Sequence, residues 1–426
     1  MFAAGGVRAS TELDQARDLH RQGRLREALE AYAKAIDVAG DSDPEGTAAA
    51  RNNACVIRIG FAEYQAALAE CVEAVRLRRQ LDDPRRLARA LNNLGIIEQN
   101  LGDFDAASEV FREALQINRA REDPESQVIN ISNLGTLESI QGRYASAFEH
   151  HNHAAALASR HPDADWSAAR RRIALINRGV VFEKVGAYRD ALEDLREARS
   201  IEAEQDPREL AQLLINLGVV YRNLGDPVIA VDLFTQARSL YETLDDETGI
   251  AQAAINLAHA YHFNLERPEK AESSYRAAHR LAHEIGDRPL EIETTLYLAR
   301  FLRESAQLSR AEAMFESALR LSQESGSSEG RWSALTGLAD IAVAQGDLNL
   351  ALERYREAVD EIDRVRGDIT GLDLRADYLR DKRPVFAKAI QVLSELAAEA
   401  PDGTFEQQAF ELVQRAKVRS LIDALG

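Results

Sequence analysis

An alanine recurs about every forty residues along most of this chain, and that regularity limits its fold more than any other feature. The column is Ala28, Ala67, Ala107, Ala147, Ala191, Ala230, Ala271, Ala311 and Ala351, with steps of 39 to 44 residues. Seven residues after each lies a second alanine, the first being Ala35 and the last Ala358. Four residues after each, the position is mostly large (Tyr32, Phe111, Leu195, Phe234, Tyr275, Phe315, Tyr355), with Cys71 and His151 as exceptions. Spacings of four and seven return to one face of an α-helix, so each copy offers a small, large, small surface that another helix can approach. Repetition at this period marks a chain that grows in one dimension by stacking one supersecondary unit, and nine units are expected.

A preceding helix in each unit is marked by a small residue: Ala54, Gly95, Gly135, Gly179, Gly218, Ala258, Ala299 and Ala339. Glycine inside a helix costs about 0.8–1 kcal/mol relative to alanine, so its recurrence implies close backbone packing. Each unit is thus predicted to be a helical hairpin. Gly23, Gly102, Gly142, Gly186, Gly225 and Gly346 are placed to stop the first helix, while Asp43-Pro44, Asp83-Pro84, Asp123-Pro124 and Asp206-Pro207 fall between units, where Asp caps and Pro opens a helix. The first unit lacks a recognisable full first helix or holds one within Ser10 to Gln22.

These columns resemble the tetratricopeptide repeat in a lengthened form. The clearest copies are Asn92-Asn93-Leu94-Gly95 with Ala107, Phe111 and Ala114, and Asn216-Leu217-Gly218 with Ala230, Phe234 and Ala237. The resemblance covers about residues 10–366 and implies an all-α right-handed superhelix, an α-solenoid, with a concave groove lined by the first helices. It also implies scaffolding or ligand recognition instead of catalysis.

Two residues before the small column stand Asn52, Asn93, Asn133, Asn177, Asn216 and Asn256, followed by Tyr297 and Gly337. A packed core would use Leu or Ala there, because Asn competes with the helix backbone and carries an amide that needs partners. A ladder of amides can serve the backbone donors and acceptors of an extended peptide whatever its sequence. This resembles the asparagine ladder of peptide-binding tetratricopeptide proteins of the kinesin light-chain and cell-polarity adaptor type. The competing reading is that each Asn bonds a neighbouring helix and sets inter-repeat geometry. Arg89, Lys184, Arg222 and Asn223 are expected to add to the grip on a protein or peptide segment. In the last two units the stripe changes to Glu293, Arg300, Glu304 and Asp340, so that end is expected to dock something else, such as a neighbouring domain of the same chain.

Other chemistry is scarce. Fifty-two Lys and Arg against 70 Asp and Glu give a net charge of −18, which argues against a non-specific grip on nucleic acid or acidic lipid. No phosphate-binding loop, dinucleotide fingerprint or nucleophile elbow occurs, so neither a catalytic residue nor a cofactor is assigned. His150, His151 and His153, with His161 nearby, are adjacent histidines that on one helix mostly point to different sides, and the pairs His259/His262 and His279/His283 need not converge, so no metal is assigned. The run Arg170-Arg171-Arg172 reads as a solvated helix start. Cys55 and Cys71 fall at helix-packing positions and are expected to be free buried thiols in a reducing compartment. The start shows no signal peptide and no stretch approaches a membrane span, so a cytoplasmic protein is expected.

From Gly367 the repeat fails and two longer helical patterns replace it, Leu372 to Glu399 and Phe405 to Leu425, parted by Ala400-Pro401-Asp402-Gly403. Leu374-Arg375-Ala376-Asp377-Tyr378-Leu379, Val385-Phe386 and Ala409 to Leu425 resemble the segment that joins tetratricopeptide repeats to a CHAT domain, the caspase-like protease module of many bacterial proteins. The alternative is a capping helix pair that covers the last apolar face. The sequence stops at Gly426, before any protease fold, so the resemblance implies the regulatory half of such a protease, with the effector domain at the carboxyl end as a partner. A stand-alone adaptor or peptide-pheromone receptor is the other reading.

Overall fold

In the computed structural model, residues 2–61, 63–202, 206–368, 379, 382–399 and 403–422 are described. They are all-α, and the chain divides into two compact units, Met1–Gln205 and Asp206–Gly426. The first unit stacks five hairpins: α1 (Phe2–Arg21) with α2 (Leu25–Ala39), α3 (Pro44–Gly60) with α4 (Tyr64–Gln80), α5 (Pro84–Leu101) with α6 (Phe104–Ala120), α7 (Pro124–Ile140) with α8 (Tyr144–Ser159), and α9 (Ser167–Lys184) with α10 (Tyr188–Ser200). The second unit pairs α11 (Pro207–Asn223) with α12 (Pro227–Thr243), α13 (Glu247–His259) with α14 (Pro268–Ile285), α15 (Arg288–Glu304) with α16 (Leu308–Ser325), and α17 (Ser328–Gln345) with α18 (Leu348–Asp368). It ends in α19 (Arg383–Glu399) and α20 (Thr404–Ile422). Within the first unit α1, α3, α5, α7 and α9 touch in succession, so the first helices share one face.

The helices begin where the Asp-Pro pairs predict. Asp43, Asp83 and Asp123 accept from the backbone N–H of Gly46, Arg86 and Ser126 at 2.9–3.0 Å, and Asp206 accepts from Arg208 at 2.9 Å. Asp246 and Asp287 cap α13 and α15 in the same way. Such a cap stabilises a helix by about 1 kcal/mol, enough to fix where each first helix starts. At the other end of α5, Gly102 takes φ 84°, a left-handed turn that an L side chain resists.

The core repeats one interaction. The large residue of each second helix lies against the small residue of its first helix, so a Cβ added at Gly95, Gly135 or Gly218 would stand 2.4–2.7 Å from the rings of Phe111, His151 or Phe234. Two corrections follow from this register. The caps Asp43 and Asp83 lie forty residues apart, as do Cys71 and Phe111, so the partner of Gly95 in the preceding hairpin is Cys55, not Ala54. Cys55 and Cys71 are not free thiols: they form a disulfide between α3 and α4, both fully buried in the place that glycine and an aromatic fill one repeat on. Cysteine usage therefore gives no ground for a reducing compartment. Among the described residues, no helix is long and apolar enough to cross a membrane.

One repeat carries an extra residue. Gly218 to Ala258 is a step of forty, but Phe234 to Tyr275 is forty-one, and the surplus is absorbed by a π-turn, Ala260–Asn264, that follows α13 and ends with Leu265 N–H donating to the Ala260 carbonyl at 3.1 Å.

At the carboxyl end α18, α19 and α20 share a core in which Tyr355, Ile362, Phe386, Leu393 and Leu412 are buried. Asp340 of α17 accepts from Lys388 of α19 at 2.8 Å through both oxygens, from the Tyr355 hydroxyl at 2.5 Å, and from Arg303. The acidic end of the first-helix stripe thus holds a helix of this same chain. The motif from Leu374 to Leu379 lies outside the described residues except for Leu379, the turn Ala400 to Gly403 is described only at Gly403, and residues 423–426 also lie outside.

Candidate functional site

The asparagines sit on the first helices, but the structure divides them. Asn93 Nδ2 donates to Asn52 Oδ1 at 3.1 Å, and one repeat later Asn133 Nδ2 donates to Asn92 Oδ1 at 2.7 Å. In each case the amide reaches the first helix of the preceding hairpin. Asn92 Oδ1 also accepts from Asn130 at 3.1 Å, and Asn130 Oδ1 accepts from Asn118 of α6 at 2.8 Å, so the network crosses three helices and reaches buried positions. A buried amide with partners is stabilising, and without them it is costly, so these bonds set the spacing of α3, α5 and α7. The cap register also moves the column in α3 by one residue: Asn53 is the counterpart of Asn93, and Asn52 that of Asn92. Asn53 Nδ2 donates to the Tyr32 hydroxyl at 3.1 Å.

The other members differ. Asn177 in α9 is half-buried and makes no side-chain hydrogen bond among the described residues. Asn216 in α11 is half-buried and accepts from Gln212 of its own helix at 3.2 Å, leaving its Nδ2 available. Asn256 is buried and turns its Nδ2 onto the Gln252 carbonyl at 3.0 Å. Beside Asn177, Arg178 forks onto Asp194 of α10 at 2.6 and 2.7 Å and donates to Asn152 of α8 at 2.7 Å. Arg89, Lys184 and Asn223 are exposed, Lys184 lying 3.4 Å from Glu183, and Arg222 is half-buried close to His259.

The π-turn brings rings together in the second unit. His259 meets Tyr297 edge-on at 4.8 Å between centroids, His262 meets Phe301 at 4.8 Å and Phe263 at 4.2 Å, and Tyr275 lies 5.6 Å from Phe301. Phe263 is 63% exposed. His279 and His283 face elsewhere, bonded to Thr295 at 3.1 Å and Glu291 at 2.6 Å, so the two histidine pairs do not converge. Among the described residues, no group of three or more His, Cys, Asp or Glu is placed to hold a metal. The arginine run is not a solvated helix start: Arg170 pairs with Glu125 at 2.9 Å, Arg171 with Glu197, and Arg172 is 2% exposed.

Burial pushes His151 and His259 down to about 4, with neighbouring positive charge adding to the effect. Both folded values lie below the ordinary 6.5, so the stability they carry is complete above about pH 6.5 and falls as the pH drops toward 4. Glu98 acts in the opposite sense: burial, then Asp103 and Glu109, raise it from 4.5 to about 7, so its contribution is fullest below 4.5 and is lost as the pH rises through 7. Each histidine shift corresponds to about 3 kcal/mol at most, and solvent screening leaves the less buried Glu98 with less, so melting temperature should fall between pH 6.5 and 4. His151→Leu, which places at Gly135 the residue that already faces Gly179, should remove roughly half of the histidine slope in thermal melts. An unchanged slope would contradict the assignment.

Sequence reasoning missed Asn53, Asn92, Asn130 and the buried Arg78. For the first two the signal was present, in the forty-residue step between the caps Asp43 and Asp83.

Within each unit the arrangement is that of a repeat protein of stacked helical hairpins whose first helices carry polar side chains. Tetratricopeptide repeat profiles match residues 46–120, 170–243, 209–284 and 249–324, and a further one matches residues 9–34. These matches cover more than half of the chain, which belongs to the tetratricopeptide repeat family. Over 93 residues it is 33% identical to the photosystem I assembly protein Ycf3 of Synechococcus elongatus, an alignment that takes in 22% of this chain and 49% of that protein. The chain thus spans about half the length of the curated relatives it matches. Among solved structures, its fold is similar to the apo quorum sensor NprR from B. thuringiensis, with TM-score 0.57 and 14% identity, covering 83% of this chain and 98% of that one. It is also similar to a Rap protein complexed with competence and sporulation factor, with TM-score 0.52 and 13% identity over 88% of this chain and 99% of that one.

Proposed function

We propose that this chain is a non-enzymatic scaffold or sensor that binds an extended protein or peptide segment along its first-helix face. The observation that carries this is spare amide capacity on a first helix in each unit: Asn177 in the first unit and Asn216 in the second are half-buried yet have donors that no other described residue takes up. Asn52, Asn93 and Asn133 contribute differently, because their bonds to one another hold the face in shape and leave only part of each amide for a ligand. Arg89 and Lys184 supply further donors in the first unit, and Arg222 and Asn223 in the second. The likeness in fold to a Rap conjugation gene regulator in complex with the Phr* peptide supports a peptide as the ligand.

In the fuller form of the proposal, the face is the regulatory part of a CHAT-type caspase-like protease, supported by the resemblance of the segment after Gly367. Gating would then require the partner to bind the active arrangement more tightly than the resting one. A stand-alone adaptor or peptide receptor is the second reading, favoured by the near-complete coverage of NprR and of the Rap protein by this chain. Reading the gene past the codon for Gly426 separates the two: a frame that continues into a domain with a His and a Cys nucleophile supports the first, and a stop codon removes it.

The ladder has its own test. Asn177→Ala with Asn216→Ala is expected to weaken capture of a groove-bound partner by about tenfold or more while melting stays within about 2 °C, since neither amide links two helices. Asn93→Ala should instead lower the melting temperature, because it strands the Asn52 Oδ1 acceptor on α3, whereas Asn133→Ala should cost less, since Asn92 Oδ1 keeps its bond from Asn130. Unaltered capture by the first variant would rule out ligand contact through these amides.

A further inference from the structure

A cleft of about 360 Å³ opens in the first unit between α1, α3, α4 and α5, and Arg17, Asn52, Asn53, Arg78, Arg86 and Arg89 lie along it. Its carboxylates are Asp43 and Glu45, so arginines outnumber acids four to two, in a chain whose net charge is −18. Asp83 stands beside it, 4.0 Å from Arg78 and 3.4 Å from Arg86. Several of these charges are already engaged: Asp43 caps α3, Arg86 pairs with Glu45, and Arg17 pairs with Asp14 at 3.1 Å. Two arginines lack a hydrogen-bonded carboxylate. Arg89 is exposed and has no ion pair or side-chain hydrogen bond among the described residues. Arg78 is 3% exposed, its Nη1 is buried without a hydrogen-bond partner, and its Nη2 reaches only the Glu45 carbonyl, at 3.4 Å.

A guanidinium taken out of water without a hydrogen-bonded carboxylate is strongly unfavourable unless an anion completes it. Burial pushes Arg78 below its ordinary value, Arg86 pushes further, and Asp83 and Glu45 offset only part of this. We propose that the cleft binds a phosphoryl dianion, either free phosphate or the phosphorylated side chain of a polypeptide. The guanidiniums arrive from three helices, Arg17 from α1, Arg78 from α4, and Arg86 and Arg89 from α5, which suits a tetrahedral group with three terminal oxygens better than a flat carboxylate that takes one fork. Asn52 spends its Oδ1 on Asn93 and keeps its Nδ2 to donate. The ligand displaces Glu45 from Arg86, an exposed pair worth little to the fold. This site goes beyond the peptide-binding reading: it shares Asn52 and Arg89 with that face, but titration with free phosphate tests it without any peptide.

The test is calorimetric titration of the full chain with inorganic phosphate, O-phosphoserine and succinate, at neutral pH and physiological ionic strength. Both phosphates are expected to bind, with succinate weaker by about tenfold or more. Tighter binding of phosphoserine assigns the group to a modified polypeptide, and tighter binding of phosphate assigns it to the free ion. Arg89→Gln should weaken phosphate by about tenfold and leave the ligand-free melting temperature unchanged, because Arg89 holds nothing in the fold. Arg78→Met should abolish binding and raise the ligand-free melting temperature, since it replaces an uncompensated buried charge with an apolar chain of similar length. Absence of phosphate binding, binding unaltered by Arg89→Gln, or succinate binding as tightly as phosphate would each overturn the proposal. A lower melting temperature or loss of folding in Arg78→Met would also count against it, because the fold itself would then be satisfying that charge.

Discussion

Asp194→Ala is expected to destabilise the first unit by about 3–5 kcal/mol, the range for removing one partner of a buried ion pair. Asp194 is 4% exposed and takes both arms of the Arg178 fork, at 2.6 and 2.7 Å. This carboxylate is also the main reason why the Arg178 guanidinium is held above its ordinary value. Arg178 reaches α8 through Asn152 as well, so its loss of direction affects three helices. Denaturant unfolding of Asp194→Ala should show the loss. The double variant Arg178→Met with Asp194→Leu should recover most of it, because an apolar pair of similar volume needs no partner. A single-variant loss below about 1 kcal/mol would mean that the pair behaves as a surface bridge.

Gly218→Ala is expected to cost about 1–3 kcal/mol through overpacking, even though alanine is the better helix former by about 0.8–1 kcal/mol. The added Cβ would stand 2.4 Å from the ring of Phe234, which is fully buried and has little room to turn. Gly60→Ala is the control: it also lies in a first helix, nothing stands within 4 Å of its Cβ position, and the change should be neutral or stabilising. Adding Phe234→Leu to Gly218→Ala should restore part of the loss, as Leu195 sits more loosely against Gly179, at 3.0 Å. Equal melting of Gly218→Ala and wild type would show that α11 and α12 can move apart at no cost.

Both predictions rest on one rule that the sequence displays in part. Within a hairpin glycine faces Phe111, His151, Leu195 and Phe234, while Phe315 and Tyr355 lie in cores with alanine and Phe315 also meets Gly337 of the next hairpin. The alanine columns and the Asp-Pro caps were legible because they repeat at a fixed step and act within one hairpin. Where the step changes, the linear pattern misleads. The column in α3 is read one residue early, at Ala54 and Asn52, because two adjacent asparagines and two adjacent small residues offer either register. The forty-residue step from Asp43 to Asp83 points to the right register, and the cap hydrogen bond of Asp43 and the bond between Cys55 and Cys71 settle it.

The sequence by itself determined the hairpin, its length, its caps and the small-against-large contact, since these follow from helical periodicity and local backbone chemistry. The partners of each polar side chain were decided by the tertiary structure. Asn93 and Asn133 are committed to the preceding helix while Asn177 is not, Arg170 and Arg171 pair within the chain, and Asp340 holds α19. Apart from Arg171 with Glu197, these pairings join residues more than forty positions apart, and the rotation of one element on the next decides which side chains meet. That rotation is set by the summed packing of each interface, which no single repeat encodes.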